Sequence, residues 1–125
     1  MAFSARIICD SVSLTGIRLT TLEVVIPRIV LAELNTHRMF SRNSASSRAI
    51  PVEKRIAAVL NDPFIPESFG KNKPGMQASE DLDAQESARA REIWIASLNS
   101  AVANARRLVD CGVHKQLANR LIEPF

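Results

Sequence analysis

Cysteine is scarce in this sequence: Cys9 and Cys111 are the two present, near opposite ends of 125 residues. Neither has the close neighbour of a zinc or redox pair, so the spacing suggests neither a metal site nor a disulfide framework. A reduced, cytoplasmic setting fits that usage. Long apolar runs are also missing. The first eleven residues hold no basic stretch followed by an apolar run, and no window approaches the roughly 18 apolar residues of a membrane span. The expectation is a soluble intracellular protein with no membrane partner. No charge sign dominates, since the net charge is +3 with 23% charged residues. That bias is compatible with phosphate binding and does not by itself indicate nucleic acid. Repeats and low-complexity segments are absent.

What is present is sufficient for one domain: a hydrophobic content of 46% supports a single apolar core at this length. Residues 5 to 12 and 17 to 26 are rich in β-branched side chains, with Gly16 between them as a turn signal, and read as a pair of strands. Pro27 then opens a short helix on which Val30, Leu31, Leu34 and His37 recur at helical spacing. Residues 39 to 49 read as a loop entering a helix. The pattern Val52, Ile56, Val59, Leu60 predicts a second helix, opened by Pro51 and ended before Pro63. Residues 61 to 78 hold three of six prolines and two of four glycines, which predicts an ordered surface connector.

The longest element comes next. Asp83 and Glu86 have capping-box spacing, and Trp94, Leu98, Ala101, Val102, Ala105, Leu108 and Val109 form one stripe. Trp94 reads as core or subunit interface. Arg106 and Arg107 suit the end of the helix, Gly112 suits its left-handed terminator, and a last helix is expected over roughly 114 to 122. His114 and Lys115 read as exposed residues at the start of that helix. The apolar ending Leu121-Ile122-Glu123-Pro124-Phe125 reads as a chain cut before its next element, the alternative being that Phe125 packs as a terminal anchor. The fold class is α/β in the broad α+β sense: a small, mainly antiparallel sheet packed with helices.

Chemistry concentrates in residues 36 to 48, Thr-His-Arg-Met-Phe-Ser-Arg-Asn-Ser-Ala-Ser-Ser-Arg, with three guanidiniums, one imidazole and no carboxylate. Arginine forks, serine hydroxyls and free backbone N–H groups together suit a nucleotide phosphate. A local reading stands beside it, in which Arg38 complements a helix dipole, His37 pairs with Glu33 and the serines cap or turn. Composition alone leaves both open.

The spacing in this run resembles the flavin-dependent thymidylate synthases. That family carries Arg-His-Arg, seven residues, Ser and, two positions on, Arg. Here His37-Arg38 is followed by seven residues, Ser46 and then Arg48, with Ser41 and Asn43 also at positions the family commonly occupies. Residues 112 to 120 resemble the family's Gly-containing turn and Ala-Arg helix, with Arg120, or in an alternative register Asn119, at the position of its arginine. The resemblance implies FAD as cofactor, with NADPH and methylenetetrahydrofolate as co-substrates, and dUMP as the substrate methylated to dTMP. It puts His37, Arg38 and Asn43 on the flavin side, and Ser44, Ser46, Arg48 and Arg120 on the dUMP side. Ser46 would bind and not attack. It also implies a homotetramer whose active sites are shared between subunits.

No cysteine nucleophile is required by such chemistry, and neither Cys9 nor Cys111 has the basic neighbours of an activated thiolate, so both are expected in the core. Three positions depart from the family. Thr36 replaces the first arginine of the motif, Ser44 stands where an acidic residue is frequent, and Glu33 stands where glutamine is common. The family pattern extends past Phe125, where it supplies another dUMP-binding arginine. Two other readings use the same residues: a basic nucleic-acid module built on Arg38, Arg42 and Arg48, and a degenerate partner subunit of a complete synthase. Phe40 is the single aromatic inside the run, which weakens the former, because single-strand binders interleave several stacking rings.

Overall fold

β-Branched residues crowd two runs near the amino terminus, and in the computed structural model, which describes residues 3–125, each run is a strand. β1 (Ser4–Val12) and β2 (Arg18–Val25) pair antiparallel, Ala5 facing Val24 and Ile7 facing Leu22. The register slips between Ile7 and Cys9, so that Ile8 is the extra residue of a bulge. Cross-strand polar pairs tie the ribbon: Arg6 donates to Glu23 at 2.8 Å, while Asp10 accepts from Arg18 at 2.6 Å and from the Thr20 hydroxyl at 2.9 Å. A two-stranded ribbon encloses nothing, and every residue of both strands is exposed. Cys9 is therefore exposed, contrary to the expected core position.

The chain divides into two compact units, Met1–Asn43 and Ser44–Phe125. In the first, the hairpin is followed by a 3-10 turn (Arg28–Val30) and α1 (Leu31–Thr36), and none of its described residues is buried. The second contains α2 (Val52–Asn61), α3 (Ala84–Asp110), α4 (Lys115–Ala118) and a 3-10 turn (Asn119–Ile122). The mixed α and β class and the antiparallel pairing are as expected. Among the described residues, however, the buried apolar core is built by helical elements alone.

That core joins Val52, Ile56 and Val59 of α2 to Leu98, Val102 and Ala105 of α3 and to Ala118 and Ile122. The predicted stripes are thus narrower than their patterns: Leu60 and Val109 are exposed because each lies at the margin of an amphipathic face. α3 begins on Asp83, whose carboxylate accepts from the Glu86 amide at 2.8 Å. It ends in a Schellman motif. Gly112 takes φ +81°, its amide bonds the Val109 carbonyl at 2.8 Å, and the Val113 amide bonds that of Leu108 at 2.9 Å. Cys111, the residue just past the last turn, is exposed and not in the core. Arg106 bridges α3 to α2 through Glu53 at 3.2 Å.

The connector between α2 and α3 is pinned at two places. Gly70 forms an isolated antiparallel bridge with Asp81, and a Cβ on Gly70 would lie 2.1 Å from Cβ of Ala78, a clash that only glycine avoids. The Phe64 carbonyl accepts from the Trp94 indole at 2.9 Å, and the Phe64 amide donates to the Phe125 carbonyl at 3.0 Å. The Trp94 ring meets Phe64 and Phe125 edge-on, at centroid distances of 6.3 and 5.6 Å. The helix predicted over 114 to 122 exists but tightens to 3-10 pitch after Ala118.

Two outcomes are expected from this packing. Ile56, 1% exposed, should cost about 2–5 kcal/mol on truncation to alanine in denaturant unfolding followed by circular dichroism, whereas Leu60→Ala stays within about 0.5 kcal/mol. The hairpin should be acid-sensitive. Hydrogen bonds from Arg18 and then Thr20 hold the Asp10 carboxyl below its ordinary range, and a hydrogen bond and charge from Arg6 do the same for Glu23. Each group binds its proton more weakly folded than unfolded, so its contribution is present above the ordinary carboxylate range and is lost as pH falls through the lowered value. A pH titration of hairpin amide shifts should show this loss, with the Asp10 part reduced in Arg18→Gln, where the Thr20 hydrogen bond remains.

Candidate functional site

α1 stops at Thr36, and the carbonyls at its end are left for residues beyond the helix to satisfy. The Thr36 hydroxyl turns back to the Glu33 carbonyl at 2.7 Å, and His37 leaves the helix in an extended conformation with its amide on Leu34 at 3.2 Å. Arg42 then folds over this end. Its Nε donates to Asn35 Oδ1 at 2.9 Å, and its terminal nitrogens donate to the main-chain carbonyls of Asn35 and His37. A guanidinium against orphan carbonyls complements the negative end of the helix. The dipole role that the local reading assigned to Arg38 is thus held by Arg42, which is correspondingly withdrawn from the three-arginine set. The signal for this was the helix stop near His37 with an arginine one short loop beyond.

Arg38 and Asn43 are exposed, and among the described residues no carboxylate pairs with Arg38. The His37 and Phe40 rings lie nearly parallel, 17° apart at a centroid distance of 6.3 Å, and both residues are exposed. Arg42 lies over the Phe40 ring at 5.9 Å. His37, Arg38 and Asn43 all belong to the unit Met1–Asn43.

The residues assigned to the nucleotide fall in the other unit. Ser44, Ser46 and Arg48 are exposed. The Ala49 amide donates to the Ser46 carbonyl at 3.0 Å and the Arg48 amide to Ser46 Oγ at 3.3 Å, so this serine organises a turn while its hydroxyl proton stays available to an acceptor. Ser47, between them, is buried at 7% exposure. It faces Asn119, which is 0% exposed and whose Nδ2 donates to the carbonyls of Ser47 at 2.7 Å and Ile50 at 2.9 Å.

This contact bears on the two registers left open for the family arginine. Asn119 is enclosed and its amide is committed to the loop, whereas Arg120 is exposed, with no carboxylate partner among the described residues. His114 caps α4 through Nδ1, which accepts from the Gln116 amide at 3.2 Å. The structure therefore brings the 44 to 50 turn and residues 119 and 120 together within one unit. Sequence reasoning missed the buried amide that does this, because an asparagine between Ala118 and Arg120 in a short helical segment carries no pattern of burial. No group of three potential metal ligands occurs among the described residues, and none of their helices is long and apolar enough to cross a membrane.

Replacing Arg42 with alanine is expected to release the end of α1 by about 1 kcal/mol. Hydrogen exchange should show loss of protection at the His37 amide, with the amides of α3 unchanged. Comparisons with protein-family models, with curated proteins and with solved structures give no match.

Proposed function

We propose that this chain is part of an FAD-dependent thymidylate synthase, in which Ser44, Ser46, Arg48 and Arg120 bind dUMP and His37, Arg38 and Asn43 bind the flavin. The observation that carries the reading is the spacing of His37-Arg38, Ser46 and Arg48 in a run without carboxylates. Supporting it, the guanidiniums of Arg48 and Arg120 are exposed and lack a carboxylate partner among the described residues, as an anion site requires. The Ser46 hydroxyl adds a neutral donor beside Arg48. The donor set on the other unit also fits its assigned ligand. Arg38 offers a planar fork to a pyrophosphate, and the exposed His37 and Phe40 rings offer aromatic groups to an isoalloxazine.

FAD, when bound, supplies hydride chemistry and carries the one-carbon unit from methylenetetrahydrofolate, with NADPH as the reductant. The protein's own residues hold and orient. Arg48 and Arg120 neutralise the dUMP phosphate, Ser46 donates to it, and Ser44 lines the same ligand. The finer fold implied is that of the flavin-dependent synthases, with assembly into a homotetramer.

Purified protein mixed with FAD and dUMP should show a perturbed flavin spectrum and a nucleotide-dependent rise in melting temperature. Arg48→Ala should weaken dUMP binding about 10- to 100-fold, the range of a charge-assisted hydrogen bond. A folded sample with neither response would overturn the binding claim. Salt-sensitive binding to an oligonucleotide with no response to dUMP would favour a nucleic-acid module instead.

A further inference from the structure

We propose that Asn119 is a positioning residue for the nucleotide site, holding Arg48 and Arg120 at one ligand through the carbonyls of Ser47 and Ile50. The inference rests on the dUMP reading above and adds a residue that the motif does not contain. Among the described residues up to 51, Ser47 is the single one that is buried. It is drawn in by an amide 72 positions further along the chain. Both hydrogens of the Asn119 amide are used, one on the Ser47 carbonyl at 2.7 Å and one on the Ile50 carbonyl at 2.9 Å. Those two carbonyls bracket Arg48 and Ala49, so the clamp grips the turn on either side of the arginine.

The second arginine neighbours the same contact. Arg48 follows Ser47 and Arg120 follows Asn119, so each guanidinium stems from a residue adjacent to one end of a 2.7 Å hydrogen bond. Two exposed cations from distant parts of the chain thereby flank one buried contact. Such preorganisation matters for an anion, because ordering two flexible arginines and a loop at the moment of binding subtracts from affinity. The Asn119 Oδ1 is buried and has no hydrogen-bond partner among the described residues. The loop thus depends on the two donors of this amide, which the Ser47 and Ile50 carbonyls accept, while its own acceptor goes unused.

The test compares variants of the 125-residue chain for dUMP binding by calorimetry and for amide exchange at Ala49. Asn119→Leu keeps the branched side-chain shape and removes both donors; Asn119→Ser keeps one hydroxyl donor and serves if the leucine variant does not fold. Val102→Ala destabilises through the core and is the control for stability. The expected result is a loss of dUMP affinity of at least about tenfold in Asn119→Leu, a smaller loss in Asn119→Ser, and reduced Ala49 protection in both. Val102→Ala should keep its affinity in the folded fraction. Undiminished affinity in the folded Asn119 variants, or an equal loss in Val102→Ala, overturns the positioning role and leaves the dUMP reading standing. Absence of dUMP binding in the unaltered chain overturns that reading and this inference together.

Discussion

Enclosure of the short segment Ala118–Ile122 is the constraint on which the rest of residues 44 to 125 depends. Ala118, Asn119 and Ile122 are each 0% exposed, although the segment begins in a helix of only four residues. Such a short helix has no stability of its own, so its conformation is set by what it packs against. Ala118 and Ile122 enter the cluster that α2 and α3 form. Once they are seated, Asn119 has no route to solvent and must find its partners inside, which it does on the 47 to 50 loop. Three residues past Ile122, Phe125 reaches the Trp94 ring. One segment thus sets the position of a loop, a helix pair and an aromatic cluster.

The elements themselves were readable wherever a local interaction decides them. β-Branched runs around Gly16 are strands because their side chains and turn geometry act over a few residues. α3 was readable at both ends, because a carboxylate on the Glu86 amide and a left-handed glycine are short-range devices. Burial was harder to read. Leu60, Val109, Cys9 and Cys111 are apolar by type, yet each lies at a margin, on a ribbon or past a helix end, where no second layer closes over it. The 3-10 pitch after Ala118 likewise answers to tertiary packing, which periodicity does not encode.

For the candidate site, the residue types were legible and their division of labour was not. The run from Thr36 to Arg48 stands out by composition alone. That Arg42 is spent on the end of α1 depends on where the helix stops to within a residue, the least certain feature of any sequence pattern. Asn119 is a longer-range case. Its role depends on a loop some seventy residues earlier, and nothing in its immediate neighbours marks it as buried.

The placement of Trp94 has a consequence for how this protein's unfolding is observed. It is the sole tryptophan, no tyrosine is present, and its ring sits half-buried between Phe64 and Phe125. Intrinsic emission is therefore a local instrument for residues 44 to 125. The exposed thiol of Cys9 supplies the complementary probe: with Cys111 replaced by serine, a single dye on β1 follows the ribbon while the indole follows the helices. Two signals from one sample then report whether the units melt together or in sequence.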